Sequence, residues 1–424
     1  MRSILWLLVA LVSLPQAATQ NSSDAAIKRV VSDPAFAAAM AAIDRDHERL
    51  IADIIAVTEI AAPPFKEEKR GDAMLERFRA LGLTDVERDP EGNVMGVRRG
   101  TRGSGRLLAV CAHLDTVFAE GTDVRVKRQG TRLSAPGIGD NSRSLAVMVA
   151  MIRAMNEAKV QTASDILFVA DVGEEGVGDL RGVKYLLQKG RYKDRVGQFI
   201  SVDGSGNGDD IVNGGVGSRR YRVTFNGPGG HSYSAFGLAS PAFAMADAIK
   251  RLGAIRVPAT PKTTFNVGVV GGGTSVNSIP NAMWMDVDMR SESPIELEKI
   301  ETAFLAIVKD SAAAENRVRS TAEGSVAADV KLIGARPSGQ TKAETPIVQI
   351  AMASARAAGL TPSLNYSSTD ANLPISLGIP AIRLNSGGSS DHPHALDEWI
   401  DVEKTASMRG IRALLATIIA VAGF

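Results

Sequence analysis

Apolar positions recur at helical spacing over residues 24–58, where Pro63-Pro64 breaks the pattern, and again over 72–81, where Gly82 closes an amphipathic helix. After the turn Pro90-Glu91-Gly92-Asn93, a short run at 94–97 predicts a strand. The segment RLLAVCAHLD predicts a buried strand at 107–111 that turns polar at its C-terminal end. A helix is expected over 144–158, and continuous apolar runs at 165–170 (DILFVA) and 199–202 (FISV) read as further buried strands. Strands that alternate with helices and end in polar residues predict an α/β domain with a largely parallel sheet. Ligand sites in such sheets lie beyond the carboxyl ends of the strands.

The pattern then changes. Residues 219–225 (RRYRVTF) and 282–290 (AMWMDVDMR) alternate with period two, as half-exposed strands do. With helices expected over 241–252 and 294–313, and strands at 263–270 and 327–332, the order is strand-helix-strand-strand-helix-strand. That is the split βαβ pattern of a ferredoxin-like α+β domain. From Thr345 the first pattern returns, so the small domain reads as an insertion, with boundaries at 217 and 336. The expected organisation is a first part of the α/β domain at 19–216, the insertion at 217–336 and the second part at 337–424.

Two terminal apolar runs bear on location. MRSILWLLVALVSLPQAATQ has a basic start, an apolar run from Ile4 to Leu14 and small residues at Ala17 and Ala18, the pattern of a secretory signal peptide over 1–18. A secreted or periplasmic protein is expected, with no stable membrane insertion after leader removal. The run from Ile411 to Phe424 is too short to span a bilayer and reads as a packed helix. The single cysteine, Cys111, allows no internal disulfide. With 48 basic against 47 acidic residues the chain carries no field for nucleic acid or anionic lipid, so function resides in a local site.

The candidate chemistry sits at the strand ends: His113 and Asp115 in AHLDTV, Asp140 in PGIGDNS, Glu174 and Glu175 in DVGEEG, and Asp203 in SVDG. Near the C-terminus, SSDHPHALDEW adds Asp391, His392 and His394. Imidazole and carboxylate are the ligands of catalytic zinc, and a zinc-bound histidine donates its other ring N–H to a carboxylate. The two-residue spacing puts Asp115 within reach of His113 for that purpose. One zinc needs about three protein ligands, and this set exceeds that, so two metals sharing a bridging carboxylate are expected. Adjacent Glu174 and Glu175 cannot both face one metal from an extended segment; one ligates while the other serves as general base. The glycine-rich GVVGGGTS lacks the spacing of a phosphate-binding loop, and no G-x-S-x-G elbow is present.

The ordered series HLDTV, GDN, EEG, VDG and H-x-x-x-E resembles the dizinc hydrolases that include aminoacylase, carboxypeptidase G and peptidase T, over nearly the whole chain after the leader. The resemblance implies an α/β, mostly parallel-sheet dizinc hydrolase domain with an inserted ferredoxin-like dimerisation (lid) domain. By the same resemblance His113 and Asp203 bind one zinc, Glu175 binds the other, Asp140 bridges, and His394 is the closing metal ligand. Asp115 orients His113, and Glu174 is the general base. His394, four residues before Glu398, fits the family pattern; His392 does not, and with Asp391 it is an unusual neighbour able to tune or compete for the site. A cis peptide bond between Asp140 and Asn141 is also implied. In the insertion, GPGGHSYSAFG resembles the segment whose histidine reaches a dimer partner's active site, assigning His231 to the oxyanion. GGTSVNSIP and DMRS resemble carboxylate-binding segments, pointing to Asn277 and Arg290. Gly387 and Gly388 would let backbone approach substrate.

The implied activity is a metallo-exopeptidase acting on di- or tripeptides or short peptides, as a homodimer with two Zn²⁺ per chain. Co²⁺ and Mn²⁺ suit the same ligand types. An N-acyl amino acid deacylase is the alternative within the same chemistry. A non-catalytic binding protein on the same fold is the third reading, which the intact Glu174 and full ligand set disfavour.

Overall fold

A computed structural model describes residues 14–103 and 105–424. The first thirteen residues of the expected leader lie outside the described residues. The chain forms two compact units, one of residues up to Gly215 with Gln340–Phe424, the other Val216–Gly339.

In the larger unit the expected helical stretch at 24–58 is three helices, Leu14–Ser32, Pro34–Arg45 and His47–Thr58. Pro34 explains the first break: it has no N–H to continue the preceding helix and takes the first position of the next, where Asp33 accepts the Ala35 amide at 2.7 Å. The helix expected at 72–81 starts earlier, at Glu68, and ends at Ala80, before Gly82 with φ of 71°. The sheet is mixed. Ile166–Asp171, Leu107–His113, Val196–Val202 and Ala381–Leu384 are parallel neighbours in that order. Beyond Ile166–Asp171 lie Val94–Arg98 and then Thr84–Arg88, both antiparallel, and on the other flank Asp210–Gly215 pairs antiparallel with Ala381–Leu384.

Both faces of the central strands are covered, which accounts for their unbroken apolar sequence. Leu108, Val110 and Ala112 join one buried cluster, under helices that include Arg143–Glu157 and Lys404–Ala422. Their neighbours Leu107, Ala109 and Cys111 join the opposite cluster, under Arg181–Gln188. Lys404–Ala422 is the one helix among the described residues long and apolar enough to cross a membrane. It is a core helix here, with Ile411, Leu414, Leu415, Ile418 and Ile419 buried against that first cluster.

The smaller unit has strands Gly217–Asn226, Thr263–Gly272, Ala282–Ser291 and Ala327–Arg336, with helices Pro241–Gly253 and Pro294–Val318. Its sheet is antiparallel throughout, in the order Thr263–Gly272, Ala282–Ser291, Gly217–Asn226, Ala327–Arg336. The period of two is resolved by side. Met285, Val287 and Met289 pack with Tyr221, Val223, Phe225 and the helices. Asp286 and Asp288, on the other side, pair with Arg222 at 2.6 Å and Arg220 at 3.0 Å.

Candidate metal centre

The parallel strands deliver their polar ends to one edge of the larger unit. His113 is the last residue of its strand, in register with Asp171; Glu174 and Glu175 follow that neighbour, and Asp203 follows Val196–Val202. Asp140 lies in the turn before helix Arg143–Glu157, and its peptide bond to Asn141 is cis, as the resemblance implied. Past Ala381–Leu384, Gly387 and Gly388 adopt φ of 85° and 72°. A Cβ at Gly387 would meet the Ser407 carbonyl at 2.7 Å, so only glycine fits that close approach. This loop leads to the segment holding His392 and His394.

His113 is buried, and its Nδ1–H donates to the backbone carbonyl of Asp115 at 3.0 Å. In the neutral ring Nε2 is then the lone pair available to a metal, and it faces Asp140 Oδ1 at 2.9 Å and Asp203 Oδ1 at 3.6 Å. Nε2 and Oδ1 are both buried and neither has a hydrogen bond that satisfies it. Acceptors converging on one point out of water call for a cation between them. The other Asp140 oxygen faces His394 Nε2 at 3.2 Å, and that nitrogen also meets Glu175 Oε1 at 2.9 Å. Ligand atoms of His113, Asp140 and Glu175 lie within 4.8 Å of one another. Two groups of three thus share Asp140: His113 and Asp203 on one side, Glu175 and His394 on the other. The donor set fits a pair of borderline-soft divalent ions.

Electrostatics agree with that reading. Burial alone would lower His113, but Asp140 and Asp203 outweigh it and hold the imidazole well above its ordinary range. Asp140 and Glu175 raise His394 to about 10 when no metal competes. Burial pushes Glu175 up, partly offset by His394.

One expected contact is corrected. The Asp115 carboxylate stands 3.7 Å from His113 Nδ1, outside hydrogen-bond range. Its oxygens instead accept the backbone amides of Glu174 at 3.0 Å and Glu175 at 2.8 Å. The orienting acceptor for His113 is the Asp115 carbonyl; the carboxylate fixes the turn that carries both glutamates. The pair of histidines is also resolved. His392 Nδ1 is bound to Asp397 at 3.0 Å, and His392 N–H donates to Asp391, so neither Asp391 nor His392 joins the ligand cluster. His394 does, on backbone with φ of 65°, an unfavourable value for a residue with a side chain.

Several supporting residues carried no assigned role at the level of sequence. Buried Glu398 accepts the amides of Gly137, Gly139 and Asp140 at 2.8, 2.8 and 2.9 Å. Burial and the charge of Asp140 lift its carboxyl to about 7 against the pull of those amides. Its place in H-x-x-x-E was the available signal. Asn141 donates to the Val202 carbonyl and accepts the Gly204 amide, tying the Asp140 turn to the strand end that carries Asp203. Arg70, fully buried, donates to the carbonyls of Leu114, Ile60 and Thr58 and so pins the HLD segment from behind. Asp171 and Asp370 are buried side by side with their four oxygens unsatisfied, and burial pushes both carboxyls up, so the two must share a proton to coexist.

In the smaller unit His231 is exposed and pairs in a short ladder with Ser278. Its Nδ1 accepts the amides of Tyr233 at 3.2 Å and Ser234 at 3.5 Å, so the neutral ring carries its proton on Nε2. Asn277 is next to it, its carbonyl accepting the Ser232 amide at 2.9 Å. Arg290 is not. It pairs with Ser218 at the far end of the strand that starts at Ala282, roughly 25 Å away at about 3.3 Å per residue, and it binds Asp288 at 2.7 Å.

Residues 109–420 match the profile of peptidase family M20/M25/M40. The chain belongs to the peptidase M20 family. It is a metal-binding hydrolase of amide bonds. Among relatives, the acetylornithine deacetylase of Myxococcus xanthus is 26% identical over 339 residues, 76% of this chain and 82% of that protein. Aminopeptidase PepT from Bacillus cereus shares the fold with a TM-score of 0.71 at 22% identity, over 89% of this chain and 99% of that one. The YXEP protein of Bacillus subtilis, described as a dinuclear metal-binding peptidase of the M20 family, superposes with a TM-score of 0.64 at 16% identity, over 89% and 99% of the two chains.

Proposed function

We propose that this M20 enzyme is an exopeptidase that hydrolyses the terminal amide bond of di- and tripeptides or short peptides. The observation that carries the reaction is Asp140, whose two oxygens face two different histidines. Two ions held there, read as Zn²⁺ from the nitrogen and carboxylate donors, would supply Lewis acidity and bring water in reach to a pKa of about 7. His113 and Asp203 would hold one ion, Glu175 and His394 the other, and Asp140 both. Glu174, held at its amide by Asp115, takes the proton of the attacking water and passes it to the leaving nitrogen. His231 donates Nε2–H to the oxyanion of the tetrahedral intermediate, the tautomer that its two amide contacts enforce.

The enzyme works in this reading as a homodimer with shared sites. His231 and Asn277 stand at one end of the small sheet and Arg290 at the other. Residues so separated reach one substrate readily when His231 and Asn277 come from one protomer and Arg290 from its partner. Glu174→Gln and His231→Ala proteins, each nearly inactive, should regain a fraction of wild-type activity when mixed under subunit exchange. Exchange seen by mass without recovery would place His231 in its own chain or outside the reaction. The leader at 1–18 supports a secreted or periplasmic place of work, where scavenged peptides are the available amides.

The deacetylase relative supports a second reading, an N-acyl amino acid deacylase. A dipeptide panel run beside an N-acetyl amino acid panel, with and without chelator, separates the two. Release from dipeptides with little from acetylated amino acids supports the peptidase; the reverse pattern replaces it.

A further inference from the structure

Four short strands of the larger unit form a separate sheet in the order Ser389–Asp391, Trp399–Asp401, Arg132–Ser134, Lys127–Gln129. Register pairs Lys127 with Ser134 and Gln129 with Arg132, so these four side chains share one face, while Leu133 and Ile400 are buried behind. On that face is a groove of about 660 Å³, walled by Thr122–Arg125 on one side and by Leu396 and Asp397 on the other. Both walls run straight into the metal centre. Ala135-Pro136 continues to the Gly137–Asp140 turn held by Glu398, and Asp397 is three residues past His394.

The charges in the groove are unequally engaged. Asp123 is bound by Arg125 at 2.7 Å, and Asp397 by His392 at 3.0 Å. Lys127 and Arg132 hold no carboxylate within 4 Å among the described residues. Arg132 instead sits over the Trp399 ring, 4.1 Å from its centroid, a cation–π contact that uses none of its N–H donors on a carboxylate. Leu396, 71% exposed at the rim, offers an apolar surface for the methylenes of a long side chain. Two open cations on a strand face beside the reaction centre suit carboxylates carried on an extended chain.

We propose that this groove binds acidic side chains of a peptide substrate at positions beyond the residue that is cut off, making acidic peptides longer than dipeptides preferred substrates. This rests on the peptidase reading above and adds the substrate class. Calorimetry with metal-loaded Glu174→Gln protein, tetraglutamate and tetraglutamine tests it without turnover. Tetraglutamate should bind roughly five- to tenfold tighter, the worth of two exposed ion pairs. The preference should vanish in Lys127→Ala/Arg132→Ala and at high salt. Both substituted side chains are exposed, so folding is not at risk. The Lys127→Glu/Arg132→Glu protein should favour tetralysine. Equal binding of the two peptides, or a preference that survives the double substitution, overturns the groove. In otherwise wild-type protein the double substitution should leave Ala-Ala hydrolysis unchanged and reduce acidic tetrapeptide hydrolysis through KM. Acidic preference in binding with no peptide cleaved by the wild type would refute the peptidase reading and leave the groove standing. Dipeptide cleavage with no acidic preference would do the opposite.

Discussion

Glu398 Oε1 accepts the backbone amide of Asp140 at 2.9 Å, joining a buried carboxylate from the C-terminal segment to the residue at the centre of the metal cluster. Glu398 therefore positions Asp140, with both of its oxygens taken up by backbone amides. Glu398→Ala strands three buried amides, at a cost on the order of 1–3 kcal/mol for each that finds no water. Glu398→Gln keeps an acceptor oxygen and should lose less. Thermal melting and metal analysis should rank wild type above Gln above Ala in both stability and ion content. An alanine variant with unchanged melting and full metal would remove Glu398 from this role.

In the proposed centre Asp140 serves both ion positions, so Asp140→Ala should empty both, whereas His394→Ala should empty chiefly one. His392→Ala should leave ion content unchanged, since that ring is held by Asp397. Plasma emission analysis of the three purified proteins reads this directly. Metal loss in His392→Ala equal to that in His394→Ala would reverse the assignment.

Metal uptake should be strongly pH-dependent. His394, raised to about 10, and His113, also raised, carry protons at neutral pH in the chelated protein. An arriving ion displaces those protons, so affinity rises with pH, by about tenfold per unit for each proton displaced. Competition with a chelating dye between about pH 6 and pH 8 measures the slope. An affinity independent of pH across that window would contradict the protonation pattern.

Asp171 gives a stability prediction of the opposite sense to the usual carboxylate. Burial lifts it to about 6 in the folded chain, against about 3.9 unfolded. Between those values the unfolded chain ionises first, so stability contributed by the protonated group is full below the lower value and is lost as pH rises through the upper one. Asp171→Asn, neutral at every pH and able to donate to Asp370, should gain stability relative to wild type as pH climbs from about 4 to about 7. Melting of the chelated proteins at both values tests it; a gain that shrinks toward neutral pH would contradict the shared proton.

The fold was legible where a single side of an element decides its sequence. The alternation at 282–290 became a strand with Met285, Val287 and Met289 inside, and the unbroken run at 107–111 became a strand buried on both faces. Thr84–Arg88 was missed because its partly exposed residues carry no apolar period. The first break in that helical stretch follows from Asp33-Pro34, a capping pair visible in the sequence, whereas the second, at Asp46, has no side-chain cap to mark it. For the site, the ligand atoms were legible because each ends a strand or a glycine-rich turn. What spacing could not decide was the use of each oxygen. Asp115 lies two residues from His113, yet its carboxylate points to two amides that only the folded turn brings near. Arg70 and Asn141 act on backbone atoms, for which sequence has no marker.

In the function proposed for this M20 protein, peptide amides are cleaved at a two-ion site in which Glu174 handles the proton. The most direct test of this is turnover and metal content measured together on Glu174→Gln and wild type with a cleaved dipeptide. The account predicts two ions in each protein and a loss on the order of 10²–10⁴ in kcat for the variant, the worth of a positioned general base. A variant that retains wild-type turnover, or that loses its activity only because it has lost its metal, would contradict it.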